Sequence, residues 1–211
     1  MKMTAAILYE QGLPHPFTVS KPLRIERVEL KGPGPGEVLI QVAAAGLCHS
    51  DLSTIEGVRP RKLPTVVGHE GAGIVVEVGP GVHDVKVGDH VVTSFVSSCG
   101  NCRYCSDARP NLCMVSTASR AAGTLQSGAR RLFCDDGSDL NHYSGLSVYA
   151  EYAVVAESSV VTIDKRAPLN VASLFGCAVM TGVGAVVNTA QVAPGRSSAV
   201  VGLGGVGLNS L

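Results

Sequence analysis

The sequence lacks any excess of charge of one sign. Its 211 residues include 17 Lys and Arg and 17 Asp and Glu, so the formal net charge is zero. A basic excess is typical of proteins that bind nucleic acid or an anionic membrane surface, and this chain has none. We therefore expect neither nucleic acid nor a membrane among its partners.

Long apolar runs and a leader-like N-terminus are also missing. No run of eighteen apolar residues occurs, which argues against an ordinary transmembrane helix. The first residues, MKMTAAILYEQG, reach Glu10 too early to form the apolar core of a secretory signal. The composition is 45% hydrophobic and 16% charged with no tryptophan, which predicts a soluble α/β or β-rich protein. A cytoplasmic, reducing location is the expectation.

Cysteine is present, and most of it is clustered. There are seven cysteines, and four lie in the stretch CGNCRYCSDARPNLC, at Cys99, Cys102, Cys105 and Cys113. Zn²⁺ takes four ligands in a tetrahedron, and closely spaced thiolates can wrap a loop around it. The stretch contains no histidine, so such a site would be all thiolate, closed to water and structural. The alternative is a redox CxxC pair, which would give Cys105 and Cys113 no role.

A second set of metal-binding residue types is scattered along the chain. Cys48 lies in GLCHSD, His69 and Glu70 in VGHE, and Cys177 in FGCA. Each taken alone is more simply an ordinary buried residue. Together, two cysteines and one histidine would leave a fourth zinc position for water or substrate, which is the catalytic arrangement. Asp51, beside Cys48, could fix the histidine tautomer.

The spacing of glycine and proline indicates the fold of the first part of the chain. Short apolar runs punctuated by these residues about every ten positions predict a small β-barrel or sandwich. The segment 114–144 has no clear period and is predicted to be a long irregular loop. From about residue 168 the chain becomes rich in Ala, Gly and Val. This part is predicted to be a helix, or two helices broken near Thr181-Gly182.

A glycine-rich loop, GLGGVG, follows a β-branched run, AVV at residues 199–201, which is predicted to be a strand. In a dinucleotide-binding fold Gly202 would permit the tight turn, Gly204 the approach of a pyrophosphate, and Gly207 close packing of helix on strand. The alternative is a glycine-rich turn without a ligand. The acidic residue that usually follows by about twenty positions would lie beyond Leu211, so the loop alone supports the prediction.

The motifs as a set resemble those of the zinc-dependent medium-chain alcohol dehydrogenases. GLCHSD, GHEGAGIVVEVGPGV, VGDHVV, the four-cysteine stretch, SVYAEY, GCAVMTGVGA and GLGGVG stand in the order and spacing of that family. The resemblance implies a β-rich GroES-like catalytic domain over residues 1–178, with a structural-zinc lobe at about 95–115. It implies that residues 179–211 begin an α/β Rossmann cofactor domain. The implied reaction is oxidation of primary or secondary alcohols to aldehydes or ketones, with hydride transfer to NAD, in a homodimer.

The resemblance also implies roles for individual residues. The catalytic zinc would be held by Cys48, His69 and Cys177, with Glu70 as a nearby carboxylate that can approach the metal. Asp51 would hold His69, and Ser50 would accept the proton of the substrate hydroxyl. The cofactor would contact His49, Thr181, Gly202, Gly204, Gly205, Val206 and Gly207. The structural zinc would be held by Cys99, Cys102, Cys105 and Cys113. Phe95 and Tyr143 would line the alcohol pocket, and Cys134 would be an ordinary cysteine.

Two departures from the family pattern bear on function. Ser53 stands where the family often has a histidine that ends the proton relay. Arg59 stands where the glutathione-dependent branch has an acid, and MVST follows Cys113 where that branch has an arginine. We therefore expect an uncharged primary alcohol with an apolar or aromatic body. The alternatives are an enzyme like glutathione-dependent formaldehyde dehydrogenase, or a non-catalytic zinc-binding fragment. Residues 1–211 by themselves are expected to be inactive.

Overall fold

Ten β-strands organise the chain, and a computed structural model describes all of residues 1–211. The strands are β1 Lys2–Leu8, β2 Leu23–Leu30, β3 Glu37–Gly46, β4 Thr65–Val66, β5 Glu70–Val78, β6 His90–Thr93, β7 Leu132–Cys134, β8 Asp139–His142, β9 Tyr152–Ala156 and β10 Val160–Ile163. The α-helices are α1 Phe17–Ser20, α2 His49–Ile55, α3 Arg103–Ser106, α4 Met114–Ala122, α5 Leu169–Ala172, α6 Ala178–Gly184 and α7 Gly205–Leu208. Single 3₁₀ turns cover Pro110–Leu112, Tyr143–Gly145, Glu157–Ser159 and Ser173–Gly176, and a π turn covers Ala185–Thr189.

The strands form two five-stranded sheets. One closes into a barrel in the order β1-β2-β7-β8-β4, in which only the β4–β8 pair is parallel. The other is antiparallel throughout, in the order β10-β6-β5-β3-β9. The prediction of a β-rich barrel from glycine spacing and apolar runs is confirmed.

Strand β3 separates the two main apolar cores. Val38, Leu39 and Ile40 are all buried, so this part of the strand does not alternate between buried and exposed side chains. Leu39 belongs to a cluster of eleven buried residues centred on the barrel, whereas Val38 and Ile40 belong to a cluster of ten on the other side. A strand that is covered on both faces has consecutive apolar residues, because neither face contacts water. This explains the sequence VLI at this point.

The segment 114–144 is structured, so the prediction of an irregular loop was wrong. It contains α4 and the two barrel strands β7 and β8. The Cys113 thiol caps α4 by accepting the Ser116 N–H, and Gly123 ends the helix in the left-handed conformation. The strands were missed because they are three and four residues long, too short for a period-two pattern to stand out. Their conformation depends on pairing with β2 and β4.

The break in the C-terminal helical segment lies at Cys177, not near Thr181-Gly182 as predicted. Helix α6 runs through Thr181 and Gly182 without interruption. A side chain at Gly176 would overlap the carbonyl oxygen of Thr93 at the end of β6, so glycine permits this close approach. No single helix has the length and apolar character to cross a bilayer. One pair of helical segments, Leu169–Gly176 and Ala178–Thr189, is long and apolar enough for a membrane span by length and composition alone, but the pair is bent by 51°.

The predicted strand at residues 199–201 does not form. These residues have no regular structure, and Val201 is almost fully exposed. A strand requires a hydrogen-bonded neighbour, and no other part of the chain offers one here. The four-residue helix α7 does follow the glycine loop.

Candidate catalytic and metal sites

The antiparallel pairing of β3 with β5 brings two predicted ligands together. Gly46 at the end of β3 lies opposite Glu70 at the start of β5. Cys48 follows β3 as the N-cap of α2, and His69 immediately precedes β5. Residues distant in sequence therefore meet at one end of the sheet, as a consequence of strand register.

Cys177 reaches the same point from the C-terminal helical segment. The break at Cys177 aims its thiol at Cys48, and the two Sγ atoms lie 3.9 Å apart. One ligand atom from each of Cys48, His69, Glu70 and Cys177 lies within 4.8 Å of all the others. His69, Glu70 and Cys177 are buried, whereas Cys48 is half-buried. Two sulfurs, one imidazole and one carboxylate form a donor set that suits zinc.

Asp51 fixes the orientation of the His69 ring. Its Oδ1 lies 3.0 Å from His69 Nδ1, and both side chains are buried. The backbone N–H of Cys48 donates to Asp51 Oδ2 at 3.3 Å. The Tyr149 hydroxyl lies 2.9 Å from both Asp51 Oδ2 and the Gly46 carbonyl oxygen, so these two acceptors share its single proton. Burial and the nearby Asp51 carboxylate raise the pKa of Tyr149, so the phenol stays protonated and keeps donating. With Nδ1 engaged by Asp51, Nε2 is the imidazole atom left to bind a metal.

The electrostatics of the cluster favour a cation. Hydrogen bonds from Cys177 and His69 lower the pKa of Cys48 to about 3, so it carries a thiolate at neutral pH. The same thiolate raises the pKa of Cys177 through their shared hydrogen bond. Burial, together with the Cys48 charge, raises the pKa of Glu70 to about 7. A divalent ion would relieve this crowding of acidic groups.

A cavity of about 380 Å³ opens onto this cluster. Its walls include the three predicted substrate-side residues, Ser50, Phe95 and Tyr143, beside His69 and Cys177. Three arginines that the sequence did not link to one another also line it, Arg59, Arg61 and Arg120. The Phe95 ring meets the His69 ring edge-on, with centroids 5.6 Å apart.

Ser50 is held in place by its neighbours. Its Oγ accepts a hydrogen bond of 3.2 Å from Arg59 Nη1. Its carbonyl oxygen accepts from the hydroxyls of Tyr143 and Thr54, at 3.2 and 3.1 Å. The Ser53 side chain makes no hydrogen bond, so the structure shows no chain of hydroxyls from Ser50 to Ser53. Arg59 is the side-chain partner of Ser50 instead.

The four-cysteine stretch forms a second cluster on a separate lobe. The sulfurs of Cys99, Cys102, Cys105 and Cys113 lie within 4.8 Å of one another. Cys102 Sγ is 3.5 Å from Cys105 Sγ and 3.9 Å from Cys113 Sγ. The Cys99 and Ser116 N–H groups donate to Cys113 Sγ. Four sulfurs converging on one point fit a structural zinc site better than a redox pair. Cys134 belongs to neither cluster and packs against the barrel core from β7.

The residues predicted to bind the cofactor fall in two places. Helix α6, which contains Thr181, packs against helix α7, which contains Val206. The Ser210 hydroxyl donates to the Gly182 carbonyl at 3.2 Å and links the two helices. The loop folds so tightly that a side chain at Gly207 would overlap the Gly202 carbonyl. A side chain at Gly204 would meet no other atom. The loop thus leaves exposed backbone that a phosphate could approach. His49 lies apart, exposed at the start of α2.

Tyr149, Arg61 and Arg120 are the site residues that sequence reasoning missed. Tyr149 stands in the SVYAEY stretch, but no spacing rule links it to Asp51, 98 positions away. The two arginines come from the loop before β4 and from α4, and only the folded chain shows that they share one cavity.

Comparison with known proteins agrees with this architecture. The Alcohol dehydrogenase GroES-like domain family matches residues 34–165. An S-(hydroxymethyl)glutathione dehydrogenase from Synechocystis is 46% identical over 209 residues, which are 99% of this chain and 54% of that protein. The chain therefore spans about half the length of the curated relatives it matches.

Solved structures show the same similarity over the full length of this chain. An alcohol dehydrogenase zinc-binding domain protein from Burkholderia ambifaria matches with a TM-score of 0.90 and 36% identity, over 100% of this chain and 55% of that one. Benzyl alcohol dehydrogenase from Acinetobacter calcoaceticus matches with a TM-score of 0.87 and 32% identity, over 100% and 54% of the two chains. The chain belongs to the zinc-dependent medium-chain alcohol dehydrogenase family.

Proposed function

We propose that the protein to which these residues belong oxidises primary or secondary alcohols to aldehydes or ketones, with zinc and NAD. The observation that carries the proposal is the convergence of Cys48, His69 and Cys177 beside a cavity that also presents Ser50. Three protein ligands with an open side are typical of catalytic rather than structural zinc. Bound zinc would supply Lewis acidity toward the alcohol oxygen, and NAD would accept the hydride.

The chain's own residues would orient the histidine ligand of the zinc and line the substrate cavity. Asp51 and Tyr149 keep the His69 ring in one tautomer and one orientation. Phe95 and Tyr143 line the cavity beside His69 and would contact the apolar body of the substrate. Glu70 adds a buried carboxylate beside the three ligands, in position to exchange with them.

Ser50 is the group proposed to take the hydroxyl proton. A hydroxyl has one donor and two acceptor lone pairs, and Arg59 occupies one lone pair of the Ser50 oxygen. The other lone pair is available to the substrate hydroxyl, and the serine proton can pass to water in the open cavity. The guanidinium charge beside Ser50 also favours the deprotonated form of a nearby alcohol.

The remaining assignments belong to the same proposal. The domains are residues 1–178, catalytic, and 179–211, the start of the cofactor domain. His49, Thr181, Gly202, Gly204, Gly205, Val206 and Gly207 would contact NAD. Cys99, Cys102, Cys105 and Cys113 would hold a structural zinc. A homodimer and a cytoplasmic location stay predictions.

The test uses the complete encoded chain, purified without added metal. We expect two zinc ions per chain by elemental analysis and NADH formation with benzyl alcohol. A chain of residues 1–211 alone should bind zinc and form no NADH, because the adenosine-binding part of a dinucleotide site is not within it. A well-folded complete chain with one zinc or none would contradict the two-site proposal.

A second candidate is oxidation of S-(hydroxymethyl)glutathione, favoured by the 46% identity to the Synechocystis dehydrogenase of that name. Arg59 and the sequence after Cys113 argue against it, since both places differ from that branch. Measuring kcat/KM for this adduct, for benzyl alcohol and for 4-(hydroxymethyl)benzoate, an alcohol with a carboxylate but no glutathione, decides between them. A much larger value for the adduct would establish the second candidate.

A further inference from the structure

The cavity beside the proposed catalytic site carries an unusual concentration of positive charge. Arg59, Arg61 and Arg120 all line it, and no aspartate or glutamate does. The chain as a whole has no net charge, so this is a local feature. The three arginines come from two separate segments, the loop after α2 and helix α4.

None of these arginines is part of an ion pair. The five ion pairs of the structure lie elsewhere, at Lys2, His15, His69, Arg131 and Arg166 with their acidic partners. Like charges held together without a counter-ion repel one another. The most direct relief for such a cluster is an anionic ligand.

Arg59 is distinct from the other two. Its Nη1 already donates to Ser50 Oγ at 3.2 Å, which ties it to the reacting end of the cavity. Arg61 makes its side-chain hydrogen bond only to the adjacent Pro60 carbonyl. Arg120 is half-buried and donates to the Ser116 carbonyl and the Thr117 hydroxyl on its own helix, at 3.3 and 3.4 Å.

Arg61 and Arg120 line the same cavity. Burial first, and then the Arg61 charge, lower the pKa of Arg120. The Arg61 guanidinium lies 5.9 Å from the centroid of the Tyr143 ring, above one wall of the cavity. Two guanidinium groups next to an aromatic wall form a site for a carboxylate attached to an apolar body, because each guanidinium can donate two parallel hydrogen bonds.

We propose that the alcohol substrate carries a carboxylate, which Arg61 and Arg120 bind while its hydroxyl lies near Ser50. The inference rests on the proposed function and replaces the expectation of an uncharged alcohol. That expectation came from Arg59 and the MVST sequence, which differ from the glutathione-dependent branch, and from the apolar side chains of Phe95 and Tyr143. Phe95 and Tyr143 would still contact the body of the substrate. A cavity of about 380 Å³ is large enough for one aromatic ring with a hydroxymethyl group and a carboxylate.

Two alcohols of similar size test the proposal in the complete, zinc-loaded enzyme. 4-(Hydroxymethyl)benzoate has the carboxylate, and 4-methylbenzyl alcohol has a methyl group in its place. We expect kcat/KM to be at least about tenfold higher for the benzoate, since a charge-assisted pair is worth that much or more. The preference should shrink as salt is added. Equal values for the two alcohols would overturn the inference.

Substitutions test which arginines produce the preference for the benzoate. Arg61→Gln and Arg120→Gln should each reduce the preference for the benzoate several-fold, mainly through KM, and Arg120→Lys should restore part of it. Lys62→Gln removes an exposed neighbouring charge that does not line the cavity, and it should leave the preference unchanged. An increase in the KM for NAD, with no change in the KM for the benzoate, would assign these arginines to the cofactor and overturn the proposal.

A binding measurement separates this inference from the proposed function. 4-Methylbenzoate cannot be oxidised as an alcohol, so its Kd by calorimetry does not depend on turnover. Weaker binding to Arg61→Gln and Arg120→Gln supports the anion site even if no alcohol is oxidised, a result that would contradict only the proposed function. An unchanged Kd for 4-methylbenzoate in both variants would refute the anion site, even if the enzyme is active. A phosphonate of the same length that binds tenfold more tightly would refute the assignment to a carboxylate.

Discussion

The two thiol clusters of this molecule are built in opposite ways. Cys99, Cys102, Cys105 and Cys113 come from one short stretch, and the cluster is completed by backbone N–H groups of that stretch and of α4. Cys48, His69 and Cys177 come from the end of β3, the start of β5 and a break in the C-terminal helical segment. The first cluster depends on local chain geometry, whereas the second depends on the sheet.

This difference separates a closed site from an open one. The local cluster offers four sulfurs, enough to fill the four positions of a tetrahedral zinc ion. The assembled cluster meets a cavity on one side and Asp51 on the other. A structural ion is best held by a compact local loop, and a reactive ion by elements that can also form a cleft. Breaking one cluster should therefore leave the other in place.

The largest effect is expected from removing one ligand of each cluster. Cys48→Ala should lose one zinc and lower alcohol oxidation by about 10³-fold or more, since the Lewis acid supplies several kcal/mol. Cys102→Ala should lose the other zinc, loosen residues 95–115 and leave the first ion in place. Metal analysis with hydrogen exchange of the two regions checks both. Loss of both ions from either variant would show that the clusters are not independent.

The next largest effect is expected at the residue behind the histidine. Asp51→Asn should weaken zinc binding at the Cys48 cluster by about 10- to 100-fold, because the hydrogen bond that orients His69 loses its charge. The four-cysteine cluster should release zinc to a chelator at an unchanged rate. A time course of zinc release from the two sites distinguishes them, and equal weakening of both would contradict the local role of Asp51.

A backbone change in the helical segment should act on the same cluster through geometry. Gly176→Ala would place a methyl group against the Thr93 carbonyl and push Cys177 away from Cys48. We expect a cost of about 2 kcal/mol in unfolding free energy, together with weaker zinc binding at the Cys48 cluster. Gly81→Ala is a comparison variant in open space, although its positive φ adds backbone strain. Full zinc affinity in Gly176→Ala would argue against the glycine's role in placing Cys177.

The smallest effect is expected from the phenol that supports Asp51. Tyr149→Phe removes a partly buried hydroxyl whose single proton is shared by Asp51 Oδ2 and the Gly46 carbonyl, and it leaves the Cys48 N–H bond to Oδ2. The expected loss of zinc-binding free energy is about 1 kcal/mol, which is less than for Asp51→Asn. Competition with a chelator of known affinity measures it. A larger loss than in Asp51→Asn would mean that Tyr149 orients the site through a route other than Asp51.

The sequence alone was sufficient where the chemistry is local. Four cysteines within one stretch require no tertiary information to suggest a shared ion, and glycine spacing with apolar runs predicted most of the strands. The resemblance to a family supplied the grouping of Cys48, His69 and Cys177, which spacing alone left open. The short strands β7 and β8 could not be predicted, because three or four residues become a strand only when a neighbour pairs with them.

The amino-acid sequence by itself determined the local thiol cluster, the strand-forming stretches and the glycine-rich loop, because each depends on residues adjacent in the chain. Only the tertiary structure decided the position of the helix break at Cys177, the support of Asp51 by Tyr149 and the presence of Arg61 and Arg120 on one cavity. These features depend on contacts between distant segments. Strand register and close backbone approach fix such contacts, and neither quantity can be read from residue types along a single stretch.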